Sequence, residues 1–406
     1  MTRLLYILPG PVPPSEDLEH DKFTFLSEIA RGEVLLPVWG DSTQSLPPFL
    51  RKNFPIHRVG TFCYHMFLGE RFPKFLRRLA ILLFYVRRGL QLHHEEKFDS
   101  IMVYGTNAPG IAGVILKWLT GVPLIAEIPG VPEHAYRYDA PHANVLGALK
   151  RFIADRLLEL ACKTADCVKL LYPWQLQSYP RLQQRKVAIF HDFVPVHIIR
   201  PVQNKERFIL LSGYPWHRKG VDVLIKAFKS IASQFPDYTL KLMGHYPDRE
   251  FLDHLAAGCP QIEFLSPCHY EDALKVIGKC SIYVLASRSE AMGRVLLEAM
   301  AARRPIIASA VDGVPYYIHD GEDGLLFESE NVEQLAAKLT TLLSDQQLQV
   351  RLGARGYEKA FSEYDEESYV RSFQTMLQSL RGESLGTEKA MEQYDETLAA
   401  TKISQP

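Results

Sequence analysis

Three observations on the sequence predict an α/β fold of two Rossmann-like, doubly wound domains facing a cleft. The chain has 406 residues, more than a single hydrophobic core of ~150–200 residues usually spans. Short β-rich apolar runs alternate throughout with longer stretches at helical spacing, the pattern of parallel strands joined by crossover helices. The pattern also stops and restarts near 192–206, where Val194-Pro195 and Arg200-Pro201 break the periodicity and a polar run follows. The reading is a first domain over 1–193, a second over 194–362, a helix over 363–380 crossing back toward the first, and a polar tail over 381–406.

The elements follow in order. In the first half, strands are expected at 4–8, 33–37, 100–104, 124–128, 167–171 and 187–190, with helices at 21–29, 75–92 and 145–163. In the second half, strands are expected at 207–211, 239–243, 262–265, 282–286, 305–308 and 324–327. A last amphipathic helix over 367–380 carries Tyr369, Phe373, Met376 and Leu380 at helical spacing. The first run, 4–8, is too short for the apolar core of a signal peptide and is stopped by Pro9-Gly10. The longest apolar run, 79–86, falls far short of the ~20 residues of a spanning helix. A cytoplasmic protein, or one peripheral on the inner face of a membrane, is therefore expected.

Composition narrows the function. A net charge of −1 argues against nucleic-acid binding through bulk charge. The six cysteines include no Cys-x-x-Cys pair and read as buried thiols rather than a disulfide framework or zinc site.

Chemistry concentrates at two strand–helix junctions. After the strand at 282–286, residues 287–300 read Ser-Arg-Ser-Glu-Ala-Met-Gly-Arg-Val-Leu-Leu-Glu-Ala-Met. Gly293 at the helix start admits a ligand close to the backbone. The amides of Gly293, Arg294 and Val295, with Met292 just before them, form a phosphate site backed by the helix dipole. Glu298 lies within an apolar stretch where an unpaired carboxylate is costly, so it needs a partner such as a ribose diol. Two glutamates flanking a helix can otherwise be a solvated cap. The other junction, Gly213-Tyr214-Pro215-Trp216-His217-Arg218-Lys219-Gly220, brings Lys219 and Arg218 to a glycine-bounded turn suited to a diphosphate, or merely to solvent.

Together with Asp320-Gly-Glu-Asp-Gly-Leu, these segments resemble the C-terminal domain of glycosyltransferase family 4, retaining enzymes of the GT-B fold. Glu290 and Glu298 match its Glu-x7-Glu spacing, and Arg218-Lys219-Gly220 matches its Lys-Gly turn. The resemblance implies that Lys219 contacts the diphosphate, that the 293–295 amides hold its distal end, that Glu298 takes the ribose and that Glu290 bonds the transferred sugar. Glu290 and Lys219 are the expected catalytic pair; Gly213, Arg218, Lys219, Met292, Gly293, Arg294, Val295 and Glu298 are the expected donor-binding set. The chain departs from the family in having Tyr214 where Gly is commonly followed by Arg, and Pro129 where a His is frequent. Gly10, Glu127 and His134 are the candidates for the acceptor side.

The expected reaction is hexosyl transfer from a UDP- or GDP-sugar to a hydroxyl of a glycan or lipid-linked precursor. No cofactor or metal is expected, because no Asp-x-Asp stands at a strand end. A nucleotide-sugar epimerase on the same fold and a non-catalytic sugar-nucleotide-binding scaffold remain as alternatives. Finally, residues 51–90 hold nine Lys or Arg against one acid, interleaved with aromatics. Arg71, Lys74, Arg77, Arg78, Arg87 and Arg88 suit an anionic membrane surface, with Phe75, Leu79, Leu82 and Val86 expected to face the core.

Overall fold

The first strand, β1 (Thr2–Ile7), is buried along its whole length, as a central parallel strand covered on both faces must be. The structure, a computed structural model, describes residues 1–10, 21–38, 56–68, 73–105, 107–130, 145–179, 182, 185–202, 205–247 and 249–381. It divides into two units, one of Met1–Pro129, Leu146–His191 and the chain from Tyr369, the other containing Asp192–Ser368.

The first unit adds β2 (Ala30–Val38), β3 (Ile56–Val59), β4 (Phe62–Leu68), β5 (Ser100–Tyr104), β6 (Leu124–Glu127), β7 (Cys167–Leu170) and β8 (Val187–Ile189). The order across the sheet is β3-β4-β2-β1-β5-β6-β7-β8. The ladders are parallel except β3–β4, a hairpin turned at Gly60-Thr61. That hairpin was not expected from the sequence. It takes Phe62, Tyr64 and Met66 into the core, so part of the basic-aromatic segment is sheet rather than surface.

The helix Lys74–Glu95 also departs from expectation. Among its described side chains Ile81, Tyr85 and Leu92 are buried, while Leu82 and Val86 pack only partly against the core and the side chain of Phe75 lies outside the described residues. Leu79, expected inward, is 54% exposed, with Leu76 and Leu83 exposed beside it at helical spacing. Gly89 sits where a Cβ would come within 2.9 Å of Leu116, so the absent side chain lets this helix approach Ala108–Thr120.

The second unit contains β9 (Phe208–Ser212), β10 (Thr239–Met243), β11 (Ile262–Leu265), β12 (Ile282–Leu285), β13 (Ile306–Ser309) and β14 (Leu325–Phe327). Its order is β11-β10-β9-β12-β13-β14, all parallel. Renumbered from β9 this is 3-2-1-4-5-6, a doubly wound Rossmann sheet with its topological switch between β9 and β12. In the first sheet the corresponding switch lies between β1 and β5. The final helix, Glu366–Leu380, belongs from Tyr369 onward with the first unit. There the rings of Tyr369 and Phe373 lie 5.9 and 6.4 Å from that of Phe190, and Lys186 donates to the Ser379 carbonyl at 2.8 Å.

Candidate functional site

The two junctions singled out in the sequence lie on the strands that flank the switch of the second sheet. β9 ends at Ser212, and Gly213 follows at φ 140° with its amide held by the Met243 carbonyl. A Cβ on Gly213 would sit 2.9 Å from Lys219 Cε, so the glycine leaves the lane along which the lysine side chain lies. The turn closes through Lys219 N–H to the Pro215 carbonyl and Val221 N–H to the Trp216 carbonyl, at 3.0 and 3.1 Å. Gly220, at φ 66°, caps the helix Val221–Ile231; a Cβ there would fall 1.8 Å from the Ala286 carbonyl oxygen. No other residue fits that approach, and it sets the lysine turn directly against the chain leaving β12.

Arg288 secures the same approach. Its guanidinium, largely buried, forks onto both oxygens of Asp222 at 2.9 and 2.8 Å, meets Glu330 at 2.8 Å and donates to the His217 carbonyl. Its own amide donates to the Arg218 carbonyl at 2.7 Å. A planar fork is suited to this geometry in a way an ammonium is not. Asp312 holds the loop from its other side, accepting Ser289 Oγ at 2.6 Å and Glu290 N–H at 2.9 Å.

The outcome is that Lys219 Nζ donates to Glu290 Oε2, with Ser287 Oγ on the same oxygen at 3.3 Å. Residues distant in sequence thus meet as an ion pair across the switch. Just beyond, Gly293 (φ 68°) caps the helix Arg294–Ala301, whose first amides have no partner within the helix. Glu298, on that helix, is buried and accepts Tyr270 Oη at 2.8 Å. Burial raises its carboxyl above 4.5, an effect opposed by the Arg294 charge and the tyrosine bond. The partner that Glu298 requires is therefore supplied in the protein itself by Tyr270, not by a ligand alone.

This arrangement can hold a diphosphate by one cation and a helix terminus, and a diol by a buried carboxylate. The chain matches the family described as "Glycosyl transferases group 1" over residues 197–359. It is 30% identical, over 82% of its length and 87% of the relative's, to N-acetyl-alpha-D-glucosaminyl L-malate synthase of Bacillus anthracis. It belongs to the group 1 glycosyl transferases. An uncharacterized glycosyltransferase of Methanocaldococcus jannaschii is 28% identical over 77% of this chain and 82% of its own. Among solved structures, sucrose-phosphate synthase of Thermosynechococcus elongatus shares the fold at a TM-score of 0.74 with 17% identity, covering 95% of this chain and all of that one. Anabaena HepE in complex with UDP and glucose aligns at 0.68 with 16% identity, covering 93% of this chain and all of its own.

As a glycosyltransferase of this group, the chain places its expected residues unevenly. Lys219 and Glu290 come together, and Gly213 and Gly293 lie beside them. Arg218, the expected second cation, donates to the Tyr214 carbonyl at 3.4 Å within its own turn. Met292 is buried, and its sulfur accepts the Asp192 amide at 3.2 Å. Val295 is partly buried, and Arg294 is exposed with its charge acting on Glu298. The Asp320-to-Leu325 turn serves closure of the sheet: Asp320 accepts Leu326 N–H at 2.7 Å, and buried Asp323 pairs with Lys359 at 2.7 Å. Sequence reasoning missed Tyr270, Arg288 and Asp312. Arg288 stood inside the quoted motif, but its partner Asp222 is 66 residues earlier and no spacing links them.

In the first unit, Glu127 is fully buried, accepting Tyr6 Oη at 2.8 Å and pairing with equally buried Lys169. Gly10, at φ 67°, lies where a Cβ would be 2.1 Å from the Pro37 carbonyl oxygen. His134 and Arg71 lie outside the described residues, as does the side chain of Lys74. Glu33, Cys63 and His65 bring three potential metal-ligating atoms within 4.8 Å of one another. His65 there bonds Glu33 at 2.6 Å through Nε2 and receives Arg88 at 3.1 Å on Nδ1, so both ring nitrogens are already engaged.

Proposed function

We propose that this glycosyltransferase moves a hexosyl unit from a UDP- or GDP-sugar to an acceptor hydroxyl with retention of the anomeric configuration. The Lys219–Glu290 pair at the sheet switch carries the reading. A diphosphate would draw the Lys219 ammonium from Glu290, which frees that carboxylate to accept hydroxyls of the transferred sugar. Negative charge developing on the leaving phosphate would be met by Lys219 and the amides of 293–295, electrostatic stabilisation that needs no metal. Glu298 would exchange Tyr270 for the ribose diol. The departing phosphate oxygen, on the same face as the acceptor, would take the acceptor's proton in a front-face displacement. The Anabaena neighbour was solved in complex with UDP and glucose, which makes a UDP-sugar the first donor to assay.

The acceptor is proposed to be a lipid-linked or cell-surface glycan precursor reached by peripheral membrane contact. Supporting this, Leu76, Leu79 and Leu83 form an exposed apolar stripe on the helix that also exposes Arg78 and Arg87. Among the described residues no helix is long and apolar enough to cross a membrane.

The test is nucleotide release by purified protein given UDP- and GDP-sugars, with and without extracted lipid acceptors and with EDTA. Acceptor-dependent UDP or GDP release that withstands EDTA, with an unchanged anomeric configuration by NMR, is expected. Release abolished by EDTA and restored by Mg²⁺ would overturn the metal-free step. Conversion of the donor without nucleotide release would replace transfer by epimerisation.

A further inference from the structure

The exposed aromatic rings of the second unit are not scattered over its surface. Among its described residues the exposed large apolar side chains are Tyr214, Phe251, Tyr270 and Val350. The three aromatic ones stand on the chain leaving β9, β10 and β11, neighbouring strands on one side of the switch. That carboxyl edge is where an open α/β sheet places its ligands. Tyr270 is committed through its hydroxyl to Glu298, and Phe251 is stacked on Trp216 at 5.3 Å. Tyr214 has neither kind of engagement.

The backbone sets a second ring beside it. Gly213 N–H donates to the Met243 carbonyl at 3.0 Å, and a Cβ on Gly244 would fall 2.6 Å from the Gly213 carbonyl oxygen. Glycine at 244 therefore lets the exits of β9 and β10 meet, and the next residue of each carries a ring. The rings of Tyr214 and His245 lie 5.8 Å apart and are tilted by 50°, so neither is stacked flat on the other. Tyr214 is 53% exposed, and His245 is exposed as well. Among the described residues no side chain hydrogen-bonds the phenol hydroxyl or the imidazole. The Lys219 stem runs along Gly213, so the pair adjoins the ammonium that meets Glu290.

We propose that Tyr214 and His245 form an aromatic platform that holds a pyranose ring, either the transferred hexosyl unit or a sugar of the acceptor. The proposal rests on the glycosyltransfer reading for the presence of a sugar at this edge. The face of an aromatic ring carries negative potential, which attracts the weakly polarised C–H bonds on one side of a sugar. The phenol and the imidazole can each also hydrogen-bond a sugar hydroxyl. An anion would call for a cation instead, and the nearest in the turn, Arg218, donates to the Tyr214 carbonyl. A nucleobase also stacks on aromatic rings, but Glu298, bonded to Tyr270 beyond β11, draws the nucleoside toward the far side of the sheet.

The experiment compares UDP with UDP-glucose, and GDP with GDP-mannose, by calorimetry on the wild type, Tyr214→Leu and Tyr214→Phe. Nucleotide release with extracted lipid acceptors gives the acceptor KM of the same proteins. Leucine keeps the apolar bulk and removes the π face, whereas phenylalanine keeps the face. The bare nucleotide is expected to bind all three proteins equally. Sugar binding should weaken about three- to tenfold in Tyr214→Leu, the scale of one ring contact, and be retained in Tyr214→Phe. Weaker nucleotide-sugar binding assigns the platform to the transferred unit; a raised acceptor KM with donor affinity intact assigns it to the acceptor. Equal loss for nucleotide and nucleotide-sugar would show a nucleotide contact and overturn the proposal. So would a Tyr214→Leu protein that matches the wild type in both donor affinity and acceptor KM. Melting temperatures check folding, and His245→Leu carries the comparison if Tyr214→Leu is unstable. A wild type that binds none of the four nucleotides would instead retire the glycosyltransfer reading, and the platform with it. Wild-type binding and turnover beside an unaffected Tyr214→Leu would retire the platform alone.

Discussion

Lys219 donates to Glu290 across the switch between β9 and β12, so the proposed phosphate cation and the proposed sugar carboxylate neutralise each other in the ligand-free chain. Both are only partly buried, and a diphosphate can compete for the ammonium.

That competition predicts a division between two variants. Glu290→Gln removes the internal rival for Lys219, so UDP or GDP should bind as well as or better than to wild type. Transfer should fall by about 10²-fold or more, the scale for losing one group aimed at the reacting centre. Glu298→Ala should instead weaken the bare nucleotide about tenfold, the scale of a hydrogen bond to a charged group. Calorimetry on both variants checks this; equal loss of nucleotide affinity would show that Glu290 and Glu298 do not divide the donor.

Glu298 also predicts a pH dependence of stability. Its folded carboxyl lies above the ordinary 4.5 because burial disfavours the charge. The stability it contributes is therefore present below about pH 4.5 and is lost as pH rises through the higher folded value. Above that folded value the ligand-free domain carries a charge it would fold better without. Glu298→Gln, still able to accept from Tyr270, should melt above wild type at pH values above that folded value, by ~2–4 °C for each 1 kcal/mol relieved. The gap should close on acidification in a thermal melt series. A constant gap across that range would assign the difference to packing instead.

The motifs at 213–220 and 287–300 were legible because each sits on a continuous strand–turn–helix segment, where local spacing determines what a glycine or helix start can do. The doubly wound class followed from the alternation of strands and helices, while the strand order itself came only with the structure. What lay beyond reach depends on pairings between distant segments. Tyr270 meets Glu298 only because the strand order sets the start of one helix beside the next, and Arg288 meets Asp222 through the packing at Gly220. The β3–β4 hairpin escaped although Phe62, Tyr64 and Met66 stand at strand spacing, because the whole run reads as a basic-aromatic surface.

Arg288 is expected to matter for stability and for nucleotide binding together. Arg288→Met leaves Asp222 buried without its fork, and removing one partner of a buried ion pair costs ~3–5 kcal/mol. Denaturant unfolding should show that loss. In Arg288→Met/Asp222→Leu, where no charge is stranded, much of the stability should return while nucleotide affinity stays low, because the lysine turn has lost its anchor. Recovery of wild-type affinity in the double variant would show that Gly220 alone positions Lys219.

The membrane reading yields the last prediction, and the structure determines which residues can test it. Arg88 donates to His65, which in turn bonds Glu33, so reversing its charge would disturb the sheet. Arg77 is partly buried. Arg78 and Arg87 are exposed, as are Leu76, Leu79 and Leu83, so substitution there changes the surface without opening the core. Arg78→Glu/Arg87→Glu should reduce binding to anionic vesicles, since each cation near such a surface contributes ~1 kcal/mol and reversal also adds repulsion. Leu79→Ser/Leu83→Ser should weaken binding to neutral and anionic vesicles alike, because apolar insertion does not depend on surface potential. Wild-type binding to anionic vesicles should fall as salt rises, screening the charge component and leaving the apolar one. Both variants should melt with the wild type and turn over a short soluble acceptor, because the donor residues lie in the other unit. Vesicle flotation across this set separates the two components. Undiminished flotation of both folded variants would make the stripe and its arginines an ordinary solvated face.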